Sequence, residues 1–220
     1  MKKSLPILVV VIALGIGMAI VYPMLQGRMH LKIYQPTDIN PNLVDEELRR
    51  TGMNHRIADF SLTDQNGKAV TNETYKGKIY VADFFFTTCK SICPKMSKNM
   101  FSLSEDLKDD ANVLFLSHSV MPVMDSVPVL KAYADLYEVD ATRWKMVTGS
   151  KQHIYELARK SYFAATTEGD GGVNDFIHTE NFVLIDPDRR IRGFYDGTSA
   201  EEMERLAMEL EALELEYEFE

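Results

Sequence analysis

The spacing of apolar and polar positions changes several times along the chain, and each change marks an element. An almost unbroken apolar segment from about Leu5 to Leu25 follows Met1-Lys2-Lys3. It is long enough to cross a hydrocarbon core, which takes roughly 20 helical residues. Pro6 and Pro23 sit near its ends, where a proline costs a helix least. A cleavable leader usually has an apolar stretch of about 7–15 residues and a small-residue cleavage motif, so residues 1–27 are expected to be an uncleaved transmembrane anchor. Residues 28–56, with Pro36 and Pro41 and little apolar periodicity, read as a tether. Residues 57–220 are enough for one domain with its own core.

Within that domain, "IADFSLTDQNGKAV" reads as two short strands turned at Asn66-Gly67. "KIYVADFFF" is a continuous apolar run, the pattern of a strand buried on both faces. Met96, Met100, Leu103 and Leu107 then recur at helical spacing, so the segment between is expected to open a helix. "NVLFLSHSV" is a second buried strand, and Val129, Ala132, Tyr133 and Leu136 mark a helix beginning near Ser126-Val127-Pro128. "RWKMVTG" is a short strand, followed by a helix carrying Ile154, Leu157 and Ala158 and ending near Phe163. After the glycine-rich, acidic "TTEGDGGVND" come the strands "NFVLID" and "RIRGFYD", turned by Asp186-Pro187-Asp188. Ser199 and Glu202 have capping-box spacing for a last helix with the stripe Met203, Leu206, Leu210 and Leu213. A hairpin, a β-α-β-α-β-α run, then an antiparallel pair and a helix describe an α/β thioredoxin-like sandwich with an N-terminal β-hairpin, preceded by a single transmembrane helix.

The formal net charge of −9 argues against a nucleic-acid partner, because phosphate binding needs a basic surface. The glutamate-dense "ELEALELEYEFE" reads as a solvated helix face. Lys2 and Lys3 precede the apolar span while Arg28 and Lys32 follow it, so charge alone specifies orientation weakly. With no second span, an N-in, C-out topology is the economical one. In a bacterium that makes a single-pass inner-membrane protein with its domain in the periplasm.

Cys89 and Cys93, in "FFFTTCKSICPKM", are the only two cysteines in 220 residues. A cross-link enclosing so short a loop constrains little of the chain, which points to a chemical role. At a strand-to-helix junction the two are expected one helical turn apart on one face, where a helix N-terminus favours thiolates. Lys90 and Lys95 add positive charge. Cysteines one helical turn apart have Cα atoms about 6 Å apart and can form a disulfide. They can equally converge on a soft metal ion: thiolates select Cu(I) or zinc, and one imidazole completes a three-coordinate Cu(I) site. A closed structural zinc site needs four ligands, more than this pair supplies. The bland alternative, two cysteines serving as small buried hydrophobes, fits poorly with their polar neighbours.

His30 and His55 lie in or beside the tether, and His153 begins a surface helix. His118, ending "VLFLSHS", and His178, before "NFVLID", are the two candidates for a third ligand, since sites in parallel α/β sheets gather at the carboxyl ends of strands. Chemistry leaves the choice between them open. Met121 and Met124 follow His118; thioethers bind Cu(I), but methionine is mostly a core gap filler.

Taken together these features resemble the Sco/SenC family of copper-binding assembly proteins. The matching parts are the N-terminal anchor, the DF-x-L-x-D-x-x-G hairpin, the "YKGK" lead into the central strand, the T-x-C-x-x-x-C-P segment, and His178-Thr179 before an apolar strand. The resemblance implies that Cys89, Cys93 and His178 bind one copper ion, as Cu(I) with Cu(II) as a second state, and leaves His118 as the alternative ligand. It implies a chaperone that delivers copper to, or reduces the cysteines of, the dinuclear copper site of cytochrome c oxidase. The partner would be the copper-accepting subunit of that oxidase or another cuproprotein. Two positions depart from the family pattern. Lys90 stands where a proline commonly follows the first cysteine, and "SHSVMPVMDS" stands where an Asp-Pro pair often follows the second strand, with Asp125 at a later acidic position. The competing reading is an enzyme, a membrane-anchored periplasmic thiol-disulfide oxidoreductase using Cys89 and Cys93 as its redox pair. Against it, the cysteines are one residue further apart than in C-x-x-C, and Ile177-His178 occupies the position where a cis-proline would be expected. A sensor would need an output domain, which the expected single domain does not offer, and a thiol peroxidase a Pro-x-x-x-Thr-x-x-Cys pattern, which the cysteine segment lacks.

Overall fold

Asn66-Gly67 makes the first turn of the domain: Gly67 adopts φ +75°, a conformation open to glycine without a Cβ penalty. It joins β1 (Ser61–Asp64) to β2 (Ala69–Thr71), and Asp64 Oδ1 closes the turn by accepting from the Asn66 and Lys68 amides at 2.8 Å each. The computed structural model describes residues 17, 30–39, 54–165 and 175–218. Apart from Gly17, the expected anchor lies outside the described residues, among which no helix is long and apolar enough to cross a membrane.

Then follow β3 (Ile79–Phe85), α1 (Cys93–Asp106), β4 (Val113–Ser119), α2 (Val127–Leu136), β5 (Trp144–Thr148), α3 (Lys151–Glu156), β6 (Asn181–Ile185), β7 (Ile191–Asp196) and α4 (Ala200–Glu218). The helix expected to end near Phe163 is regular only to Glu156 and continues as a π-helical turn, Leu157–Ser161. From this turn Ser161 accepts the Ala58 amide on its hydroxyl at 2.8 Å and lies 2.7 Å, through its carbonyl, from His55 Nε2.

The strands form one seven-stranded sheet in the order β2-β1-β5-β4-β3-β6-β7. The β3–β4 and β4–β5 pairs are parallel, and all other pairs are antiparallel. This is the mixed α/β sheet expected of a thioredoxin-like sandwich. β3 is an interior strand between β4 and β6, with all seven residues buried. Its side chains alternate between two cores, as pleating requires. Tyr80, Ala82 and Phe84 pack with Phe60, Tyr155 and Tyr162 on one face; Val81 and Phe85 pack with Met96, Met100, Leu130 and Leu210 on the other. Hence α1, α2 and α4 cover one face and α3 the other.

Residues 30–39 lie against the domain: the Tyr34 amide donates to the Ile191 carbonyl at 2.9 Å, and Pro36 is buried. Buried Arg192 ties three elements together. It meets Asp186 at 3.1 Å, Glu216 of α4 at 2.6 Å and the Leu31 carbonyl at 2.8 Å.

Candidate metal centre

The helix expected to hold both cysteines begins at Cys93, so only that one is helical. Pro94 is the reason. In a helix begun at Cys89 its ring would collide with the Lys90 carbonyl and its missing N–H would break the ladder, whereas the first turn tolerates proline. Cys89 therefore stands in the turn between β3 and α1, which corrects the expectation of one shared helical face. From there its sulfur reaches the open end of the helix: the Cys93 amide donates to Cys89 Sγ at 3.5 Å, and the Ser91 hydroxyl lies 3.5 Å from the same atom. Both cysteines are free thiols, with Cys89 8% and Cys93 2% exposed.

Burial pushes both thiols up, and their surroundings then separate them. For Cys89, hydrogen bonds from Ser91 and from the Cys93 side chain and amide outweigh burial and bring the thiol down to about 6. For Cys93, burial is joined by the Cys89 sulfur and more weakly by Asp83, and the thiol rises to about 12. The two thiols are thus pushed in opposite directions, Cys89 toward the thiolate and Cys93 toward the protonated form. Lys90 and Lys95, expected to contribute, are exposed on the surface; the lowering at Cys89 comes from hydrogen bonds.

Two acidic residues near the pair escaped the sequence reading as site residues. Asp83 is buried on β3 between Val81 and Phe85, and its Oδ1 has no protein hydrogen bond. Burial raises its carboxyl to about 7 against an opposing bond from Ser117. The available signal was a lone acid inside the apolar run "IYVADFFF". Asp125, also buried, accepts from the Thr87 hydroxyl at 2.5 Å, the Thr87 amide at 3.2 Å and the Ser119 hydroxyl at 2.5 Å.

His178 is exposed on the irregular segment before β6, with its ring 6.5 Å from that of Phe86 and 6.3 Å from that of Phe176. Phe86 also holds the cysteine turn, its carbonyl accepting the Cys89 amide at 3.2 Å. The same residue thus neighbours both the imidazole and the sulfurs. Among the described residues no three His, Cys, Asp or Glu side chains are gathered closely enough to hold a metal ion, so His178 and the two sulfurs are near a common residue without being brought together.

His118 goes elsewhere. In the parallel register it pairs with Phe84 and shares its face, while Ser117 and Ser119 take the other. Its ring stacks on Phe84 at 4.6 Å and 14°, with Tyr162 edge-on at 5.2 Å. Nδ1 lies 3.2 Å from the Asp83 carbonyl, Nε2 is buried without a partner, and burial pushes the imidazole down to about 3. The sheet therefore separates His118 from the cysteines. Met121 is half-buried and Met124 is 57% exposed, on the loop after β4.

The donor set suits a soft ion: one sulfur whose surroundings favour the thiolate, a second at the first residue of the helix, and an exposed imidazole on a neighbouring segment.

Residues 49–213 match a protein family described as SCO1/SenC. A curated relative, an SCO1 protein homolog of Bacillus subtilis (strain 168), is 36% identical over 147 residues, which is 66% of this chain and 76% of that one. Among solved structures, BsSco, described as a member of the Sco family of cytochrome c oxidase assembly proteins with a disulfide switch, is 32% identical with a TM-score of 0.63, covering 73% of this chain and 94% of that one. The ScoI of Bradyrhizobium japonicum with copper bound is 26% identical with a TM-score of 0.54, covering 73% of this chain and 99% of that one.

Proposed function

The chain belongs to the SCO1/SenC family, and from that premise we propose that it is a membrane-anchored copper chaperone for the dinuclear copper site of cytochrome c oxidase. It carries one copper ion as cargo on Cys89, Cys93 and His178. The recipient is the copper-accepting subunit of the oxidase or another cuproprotein. The observation that carries the reading is the arrangement of the sulfurs at the start of α1: the Cys93 amide and Ser91 both lie 3.5 Å from Cys89 Sγ, contacts that favour its thiolate. A thiolate of this kind captures Cu(I), and exposed His178 on a separate segment can close the site and open it again during transfer. The relatives described as copper-bound or as oxidase assembly proteins support the same reading.

Anaerobic titration of the reduced protein with Cu(I), followed by X-ray absorption, is expected to saturate at one equivalent with two sulfur neighbours and one nitrogen. Saturation without sulfur neighbours would overturn the proposal. The anchoring half of it, motivated by the apolar span and the lysines before it, is tested by protease added to intact spheroplasts. The domain after Arg28 is expected to be digested, and a protected domain would sink the periplasmic placement.

A second reading, disulfide reductase, is favoured by the same separation of thiols. A low-pKa sulfur is suited to the first attack of thiol-disulfide exchange, and the buried second thiol four residues on can resolve the mixed disulfide once it gives up its proton.

A further inference from the structure

The turn that carries Cys89 has no ladder of its own, and its attachment to the sheet is unusual. Asp125 is fully buried, yet each of its hydrogen-bond donors is neutral: Thr87 through both its amide and its hydroxyl, and Ser119 through its hydroxyl. A buried carboxylate without a cation is costly unless its donors are fixed in advance, and apolar packing often serves stability as well or better. Here they are fixed. Ser119 ends β4, its hydroxyl accepts the Met121 amide at 3.2 Å while donating to Asp125, and the loop closes as the Asp125 amide donates to the Met121 carbonyl at 2.9 Å. The carboxylate is therefore set on a preformed loop at the end of β4 and takes hold of Thr87 at two points. Thr87 lies two residues before Cys89, a span of about 7 Å of extended chain.

We propose that Asp125 is the positioning residue of the cysteine turn. By clamping Thr87 to the end of β4 it holds Cys89 Sγ within reach of the Cys93 amide. The inference rests on the cysteine pair being the functional site, and it applies equally whether the pair carries copper or exchanges disulfides. Without the clamp the turn samples other conformations, and apparent affinity falls with the fraction that remains competent.

The experiment compares Thr87→Val, Thr87→Ser, Asp125→Asn and the Thr87→Val/Asp125→Asn pair in the full-length protein. Three quantities are read: Cu(I) affinity against a chromophoric chelator, the rate of Cys89 alkylation by iodoacetamide, and the reduction potential of the pair. Thr87→Val is expected to weaken copper binding and alter alkylation about tenfold or more, the range for losing a hydrogen bond to a charged acceptor. Thr87→Ser keeps both donors and is expected to behave as the wild type. The double variant should be little worse than the worse single one, because both substitutions break the same clamp. A purely structural role would lower the melting temperature but leave the reactivity of the folded protein unchanged. Wild-type alkylation and affinity in Thr87→Val, or additive effects in the double variant, would overturn the proposal. If Asp125→Asn does not fold, the two Thr87 variants decide. If the wild type binds no copper the chaperone reading fails, while alkylation and potential still test the clamp.

Discussion

Cys89→Ser and Cys93→Ser are each expected to lower Cu(I) affinity by more than about a hundredfold, since disturbing a ligand's supporting contacts alone costs about 10–100-fold. A serine hydroxyl is a hard donor that stays protonated, so it replaces neither the softness nor the charge of the thiolate. The two thiols make the pH dependence specific. Ligands bind deprotonated, so protons compete with copper. Cys89 loses its proton above about 6 and Cys93 only above about 12. Between those values Cys93 is the one sulfur that must give up a proton, so the sulfur pair should make affinity rise about tenfold per pH unit and release about one proton on capture. As pH falls through 6, Cys89 begins to compete as well and the slope steepens. Cys93→Ser should remove the shallow part of the profile. Affinity measured from pH 5 to pH 9, with proton release in weak buffer, checks both points. Unchanged binding in either serine variant, or a slope of two at pH 8, would count against a shared copper site with this division of labour.

What the sequence disclosed, and what it withheld, follows from how local each signal is. The hairpin was legible because Asn66-Gly67 is a local turn code, and Gly67 adopts the positive φ it allows. The buried strand was legible because "KIYVADFFF" has one polar break within it, Asp83, and a single polar residue in such a run does not by itself mark a site. The start of α1 was written in Pro94, yet the even spacing of Met96, Met100 and Leu103 drew the helix back across Cys89. The face of His118 depended on counting by twos from a register that pairs it with Phe84. An edge position alone could not reveal that. The Asp125 clamp joins residues 38 positions apart; no local pattern encodes it, and only the folded arrangement of the β4 loop brings it to Thr87.

His178→Ala separates the chaperone from the reductase, because it removes the one proposed ligand that disulfide exchange does not need. Exchange requires an attacking thiolate and a second thiol, and Cys89 and Cys93 supply both without the imidazole. His178 is exposed and its contacts are with the rings of Phe86 and Phe176, so its truncation should leave the sulfurs and their reduction potential close to wild type. Copper, by contrast, loses one of three donors, and affinity is expected to fall by about a hundredfold or more. His118→Ala offers the contrasting case. Its ring is packed in the opposite core against Phe84 and Tyr162, so it should lower thermal stability while copper affinity in the folded protein stays near wild type. Copper retention, reduction potential and oxidase activity are then measured in one His178→Ala strain. A chaperone predicts that copper retention and oxidase activity fall together while the potential holds. Lost copper with normal oxidase activity would instead favour the reductase, since the intact cysteine pair would then be sufficient for assembly.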